Sequence, residues 1–303
     1  MLIGSDVGLF RDTCNVYLLR TGRDAVLIDF GSGDVLDHLG DYGVDRVTDV
    51  LVTHHHRDQV QGLHRAAVAG IRIWVPPVER DLFDAVDEHW HTRPLDNDYN
   101  TRQDRFSLLE PVPVTGVVPE YRTARFGGVL VTTLPTPGHT VGSVSYLVDI
   151  GGRRLAFVGD LIYGPGKLWS LAATQWTYTG PWRYSGLEGL MATAMSCALL
   201  CQHEPDLLLP SHGDVIDDPV GACTLLRERM AGLLELRGDT PYDLDRPLRE
   251  PWRELSPHLL QCTASYAVSY ALLSDHGSAL LFDFGYDLTV GVADGQDRAA
   301  RRP

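Results

Sequence analysis

Cysteine is scarce in this sequence and does not fall into a pairing pattern. Five cysteines in 303 residues (Cys14, Cys197, Cys201, Cys223, Cys262), an odd number with no Cys-x-x-Cys, suit reduced thiols rather than a disulfide framework. Cys197 and Cys201, one helical turn apart, read as small apolar residues on a buried helix face rather than as a metal pair. Long hydrophobic runs are also missing. Stretches such as Asp49-Val-Leu-Val-Thr and Ala25-Val-Leu-Ile-Asp stop far short of the ~20 residues needed to cross a bilayer, which excludes a membrane span. The start, Met1-Leu-Ile-Gly-Ser-Asp-Val-Gly, has neither the basic residues nor the apolar run of a secretory signal, so a cytoplasmic protein is expected. Positive charge is in the minority: 26 Lys+Arg against 40 Asp+Glu give a net charge of −14. The average field of such a chain repels a polyanion, and nucleic acid drops out as a substrate. A small-molecule substrate is the expectation that remains, with homo-oligomer formation left open.

What is present is a core-forming chain. Hydrophobic residues make up 44% of it, enough to bury a substantial interior. Asn15-Val-Tyr-Leu-Leu and Ala25-Val-Leu-Ile-Asp flank Thr21-Gly-Arg-Asp and predict a hairpin ending at the turn Gly31-Ser-Gly. A helix is expected from Asp34 to about Leu39, then a buried strand from Val47 to Val52. Val60, Leu63, Ala67 and Val68 recur at helical spacing, with Gly70 as the stop. A strand (71–75), a helix (78–88) and a polar, aromatic loop (89–105) follow.

The pattern then restarts. Val129-Leu-Val-Thr-Thr-Leu leads to Pro135-Thr-Pro-Gly-His. Ser143-Val-Ser-Tyr-Leu-Val and Arg154-Leu-Ala-Phe-Val predict a second hairpin around Gly151-Gly152, ending at Gly159-Asp160 as the first ends at Asp29. A helix over 187–202, the strand Asp206-Leu-Leu-Leu-Pro and a helix over 219–236, with Leu226, Met230 and Leu234 on one face, complete it.

Residues 1–240 therefore read as one domain and 241–256, rich in Pro, Asp and Arg, as a linker. Residues 257–303 contain an echo of the beginning. Ser269 to Gly285 aligns without gaps on Asn15 to Gly31, with seven identities. The tail is expected to be the start of a truncated second copy, or a hairpin appended to a sheet of the first.

The chemistry is concentrated in Thr53-His-His-His-Arg-Asp-Gln-Val-Gln-Gly62, a run of imidazoles and a carboxylate at the end of a buried strand. In an extended segment, residues i and i+2 point the same way, so His54 and His56 can converge on one ion while His55 points elsewhere. Asp58 falls at the start of the next helix, where it can face the same cavity. Catalytic zinc sites use such His and carboxylate ligands and keep one position open for water.

This segment resembles the first motif of the metallo-β-lactamase superfamily, Thr-His-x-His-x-Asp-His followed by a glycine. Pro137-Gly-His139-Thr-x-Gly-Ser, Phe157-Val-Gly-Asp160 and Pro210-Ser-His212-Gly are similar to the later motifs, in family order, and Asp29 to the early aspartate that supports the site from outside. The resemblance spans roughly residues 5–240. It implies a four-layer αββα sandwich of two similar halves, followed here by the C-terminal partial repeat hairpin. It also implies one metal held by His54, His56 and His139, and a second held by Asp58 and His212 with Asp160 bridging. The family's next histidine is Gln59 here. An amide oxygen is a weaker zinc donor than imidazole, so one zinc is expected to bind tightly and the second weakly.

The activity so implied is hydrolysis of a small ester, thioester, lactone or related substrate by a metal-bound hydroxide, with Asp58 and Asp160 as the catalytic carboxylates. Three histidines and one aspartate also suit iron(II), so a mononuclear iron oxygenase or sulfur dioxygenase stands as an alternative. Gln59 and the partial repeat admit a non-catalytic metal-binding scaffold. His38, His55, His64, His203, His258 and His276 are read as structural or surface residues. His89, Trp90, His91, Trp169, Trp176, Tyr178, Trp182 and Tyr184 either line a substrate pocket or pack a crossover onto the sheet.

Overall fold

The computed structural model describes residues 3–4, 6–92, 106–170, 189–236, 250–262 and 269–283. The chain divides into two compact units, Met1–Leu226 and Arg227–Pro303. The division falls inside a helix, earlier than residue 240.

The first unit is built on two sheets. The first orders β1 (Val7–Arg11), β2 (Asn15–Thr21), β3 (Asp24–Ile28), β4 (Arg46–Leu51), β5 (Arg72–Val75) and β6 (Gly116–Val117) side by side. β1 to β3 pair antiparallel, then β3 to β6 parallel. The second runs from β11 (Leu207–Pro210) through β10 (Arg153–Gly159), β9 (Val144–Ile150) and β8 (Val129–Pro135) to β7 (Thr123–Phe126). It repeats the design: antiparallel strands, then one parallel pair, β10 with β11.

Period-two alternation sorts the strand side chains between layers. Val16, Leu18, Leu27, Val50 and Val52 face an outer helical layer through Val35, Val60, Leu63, Ala66, Phe83 and Val86. Tyr17, Leu19, Val26, Ile28 and Leu51 face the second sheet through Val131, Val144, Tyr146, Phe157 and Leu209. Leu147, Ala156 and Leu208 point out of the second sheet's other face and are also buried. That burial requires a second helical cover, and α5 (Leu190–Gln202), buried along most of its length, has the character of one. These layers are the αββα sandwich. Strands buried on both faces read as continuous apolar runs, and truncating one such side chain, Leu18, to alanine costs about 2–5 kcal/mol.

Local expectations shift at several places. The helix after Gly33 is a 3₁₀ helix, Asp34–Tyr42. The helix expected from Val60 onward is broken into α1 (Arg57–Val60) and α2 (Leu63–Val68). The break rotates the buried face to Val60, Leu63 and Ala66, leaving Val68 91% exposed. Gly62 lies at the break because a Cβ there would come within 2.2 Å of the Ser32 carbonyl. The helix expected over 78–88 is a 3₁₀ turn (Pro77–Glu79), α3 (Asp81–Asp84) and α4 (Val86–Thr92). His89–Thr92 thus continue a helix rather than open a loop, with Trp90 packed on the core and donating to the Leu108 carbonyl. α6 (Pro219–Leu236) has the expected bounds.

The second unit holds a four-stranded antiparallel sheet of its own, in the order β12 (Trp252–Ser256), β13 (Leu259–Cys262), β14 (Ser269–Leu273) and β15 (Ala279–Phe282). Among the described residues, its strands pair with one another. β12 lies at the end of the stretch expected as a linker, where every one of its residues is exposed and no apolar face marks it in the sequence; 241–249 lie outside the described residues. The internal echo survives in the backbone. β14 and β15 form the hairpin that β2 and β3 form, and Asp283 shares the left-handed φ of 57° seen at Asp29. The pairing is displaced by one residue, Leu272 opposite Leu280 where Leu18 lies opposite Leu27. All five cysteines are free.

Candidate metal centre

The ends of five strands meet at one place. Asp29 follows β3, His54 and His56 follow β4, His139 lies between β8 and β9, Asp160 follows β10, and His212 follows β11. Such carboxyl-end crevices are where α/β sheets present side chains beyond their hydrogen-bonded edges. Two groups of metal-capable atoms result, each lying within 4.8 Å of one another: His54, His56, His139 and Asp160, all buried, and Asp58, Asp160 and His212.

The spacing can be tested against a metal. Ligand atoms about 2.0 Å from a tetrahedral zinc lie roughly 3.3 Å apart. His139 Nε2 is 3.0 Å from His56 Nδ1 and 3.3 Å from Asp160 Oδ2, and His54 Nε2 is 3.6 Å from Asp160 Oδ2. His54 Nε2 and both Asp160 carboxylate oxygens are buried with no hydrogen-bond partner among the described residues. A buried polar atom left unpaired is costly, and a cation at their common centre removes that cost. The residues fit a metal ion.

The electrostatics agree. Burial, then the neighbouring His139, His55 and His212, push His54 well below the usual histidine range, so it stays in the neutral form that ligates a metal. Burial opposes charge at His212 too, but the hydrogen bond to Asp58 and the charge of Asp160 hold it above its ordinary value. His212 Nε2 lies 2.8 Å from Asp58 Oδ2.

Gln59 is fully buried. Its Nε2 lies 3.2 Å from Asp58 Oδ2 and 3.1 Å from His212 Nε2, while its Oε1 has no partner among the described residues. The amide thus presents N–H donors where a histidine would present a lone pair.

Asp29 lies outside both groups, as expected of a support. It accepts the Thr53 N–H at 2.8 Å, the Thr53 hydroxyl and the Ser211 hydroxyl at 2.7 Å, which fixes the residues just before His54 and His212. Burial pushes its carboxyl up to about 7, against hydrogen bonds from Thr53 and Ser211 that favour the ion.

Two supports were not marked by the sequence. Asn15 donates to the carbonyls of Pro210 and Gly213, pinning the turn that carries His212. Glu79 is a buried carboxylate below the other histidine loop; burial opposes its charge, but His55, Thr140 and Gly142 hold it below the usual glutamate value. Trp169, one of two readings among the aromatics, stacks on His212 with ring centroids 3.9 Å apart and planes 13° from parallel. Trp176, Tyr178, Trp182 and Tyr184 lie outside the described residues. His55 turns away from the centre, its Nδ1 3.0 Å from Glu79.

Comparison with known proteins agrees with this geometry. A family model described as the metallo-β-lactamase superfamily matches residues 9–214. The chain is 26% identical over 213 residues to the β-lactamase-like protein 2 homolog of Drosophila melanogaster, covering 68% of this chain and 61% of that protein. It is 28% identical over 163 residues to the hydroxyacylglutathione hydrolase of Pseudomonas putida, covering 52% of this chain and 48% of that enzyme. The chain therefore spans less than two thirds of either relative. Among solved structures, the Cronobacter sakazakii metallo-β-lactamase described by a HARLDQ motif superposes with a TM-score of 0.59 at 17% identity, covering 80% of this chain and 95% of that one. By its matched family model and its architecture, the chain belongs to the metallo-β-lactamase superfamily.

Proposed function

We propose that the protein is a metal-dependent hydrolase of a small acyl substrate, an ester, thioester or lactone, working with one tightly held zinc. The observation that carries the reading is the buried set His54, His56, His139 and Asp160, whose unpaired nitrogen and oxygens surround a common centre. The hydroxyacylglutathione hydrolase among its relatives supports the acyl class.

His54, His56 and His139 would hold the first ion, with Asp160 beside it. Asp58 and His212 are the residues for a second ion, which Gln59 disfavours by turning N–H groups toward them. When bound, a zinc ion lowers the pKa of a water to near 7 and polarises an acyl oxygen. Asp58 is the carboxylate suited to orient that water and take its proton at Oδ2: its side chain is 37% exposed, whereas Asp160 is sealed in. His212, hydrogen-bonded to the same oxygen, fixes the carboxylate's direction. A cleft of about 510 Å³, lined by Tyr163, Lys167, Gly213, Asp214 and Leu225 among others, opens beside the His212 turn and has the size of a small-molecule site.

The test is a panel of ester, thioester, lactone and phosphodiester substrates with the metal content of the native protein measured in parallel. Hydrolysis of an acyl substrate that vanishes in His139→Ala and on chelation is expected. Native iron with no hydrolysis would overturn the reading in favour of redox chemistry.

A further inference from the structure

Glu79 belongs to neither group of metal-capable atoms, yet its bonds reach both loops that carry the first group. Oε2 accepts the backbone N–H of His55 at 2.8 Å and faces His55 Nδ1 at 3.0 Å. Oε1 accepts the hydroxyl of Thr140 and the backbone N–H of Gly142, the latter at 3.0 Å. His55 sits between His54 and His56, on the loop leaving β4 of the first sheet. Thr140 follows His139, on the loop between β8 and β9 of the second. An ionised carboxylate has about four lone-pair positions, and three hydrogen bonds together with the close approach of His55 Nδ1 take them up here. Glu79 has no capacity left to ligate a metal; all of it goes to fixing the two loops.

Gly142 shows how closely the parts are fitted. A Cβ there would stand 2.4 Å from Glu79 Cγ and 2.9 Å from Val78 Cβ, so only glycine lets the carboxylate into its place.

We infer that Glu79 is a positioning residue for the metal centre, a four-way clamp that sets His54 and His56 against His139 before any ion arrives. The inference rests on the metal-hydrolase reading. Partners that orient ligands are typically worth 10- to 100-fold in metal affinity. Glu79 would act one step further out, on the backbone between ligands, and so on their mutual geometry rather than on any one imidazole.

The experiment compares wild type with Glu79→Gln, Gly142→Ala and Thr140→Val. Zinc affinity is measured by competition with a chromogenic chelator, the visible d–d spectrum after cobalt(II) substitution is recorded, and so is the melting temperature of each metal-free protein. Glu79→Gln keeps the shape but turns an NH₂ toward two of these four groups, so its zinc Kd is expected to rise roughly 10- to 100-fold with a changed cobalt spectrum. Gly142→Ala, which displaces the carboxylate, should move both readouts the same way, and Thr140→Val should do so more weakly. A lowered metal-free melting temperature with wild-type zinc affinity and cobalt spectrum would reduce Glu79 to a structural residue and overturn the inference. Should Glu79→Gln fail to fold, Thr140→Val, with the carboxylate intact, decides by the same two readouts. Wild type that takes up neither zinc nor cobalt overturns the metal-centre reading as well. Wild type that binds both while the variants match it overturns the Glu79 inference alone.

Discussion

The Ser211 hydroxyl donates to Asp29 at 2.7 Å, joining residues 182 positions apart in the chain. Through this bond and those from the N–H and hydroxyl of Thr53, a single carboxylate holds the residue before His54 and the residue before His212. Asp29 also sits at a φ of 57°, a left-handed conformation that asparagine tolerates and most residues do not. Asp29→Asn can keep the Thr53 bonds at its oxygen while the Ser211 hydroxyl turns to accept from the new NH₂, so it should remain folded and bind metal. Asp29→Ala leaves three donors unpaired and strains the backbone, and should cost roughly 2–4 kcal/mol. Urea unfolding of the two variants checks the ranking; equal losses would show that hydrogen bonding at Asp29 is unimportant.

Removal of metal should be visible as lost stability. A ligand present at ~100 times its Kd stabilises the folded state by about 2.7 kcal/mol, or a rise of roughly 5–10 °C in melting temperature for a unit of this size. Melting curves recorded after chelation and after readdition of zinc give the measurement. His139→Ala should melt at one temperature in both states, because it removes a nitrogen from the centre of the first group.

Much of the site was legible because its residues are grouped in short motifs. His54, His56, His139, Asp160 and His212 stand just past strand ends, Asp58 lies in the first turn of the helix that follows His56, and the strands themselves are marked by apolar runs. The supports were hidden for a physical reason. Glu79 and Asn15 are polar residues buried by tertiary contact, and nothing in Val75-Pro-Pro-Val-Glu or Cys14-Asn says which carbonyls and N–H groups will arrive from over 60 residues away. Helix register was misplaced near Val68 because the break at Gly62 answers to Ser32, which sequence periodicity does not sense. The strand Trp252–Ser256 was read as linker because it lacks the buried alternate residues by which strands are recognised.

Asp49 offers a pH test remote from the metal-capable groups. Its carboxylate is buried in the first sheet and accepts from Arg72 Nε and Nη2, each at 2.7 Å, and from Trp74 Nε1 at 2.8 Å. Burial opposes its charge, but the bonds from Arg72 and Trp74 outweigh it and hold the carboxyl below the usual aspartate range. A depressed folded value means the stabilisation is present above the unfolded pKa of ~3.9 and is lost as the pH falls through the lower folded value. Asp49→Asn should therefore cost roughly 1–2 kcal/mol near pH 7, a figure kept modest because Arg72 is half exposed. Acid-unfolding curves of wild type and variant should converge below about pH 4. Curves that stay parallel to the lowest pH would show that the ion pair contributes nothing.

The amide at Gln59 gives the most direct control over metal stoichiometry. Its NH₂ faces Asp58 Oδ2 and His212 Nε2, so the three residues already satisfy one another in part without a cation. Gln59→His replaces a donor group by an imidazole nitrogen in a buried position next to two ligand-capable side chains, and nitrogen is the stronger zinc donor. Wild type is expected to retain one zinc per chain after dialysis against a weak chelator, and Gln59→His close to two. Elemental analysis counts the ions. Trp169, stacked on His212, supplies a second readout: its emission should respond to zinc more strongly in Gln59→His than in wild type, and the difference should vanish in Gln59→His combined with Trp169→Phe. Two tightly retained ions in wild type would mean that Gln59 turns its oxygen inward and ligates, against the arrangement seen here.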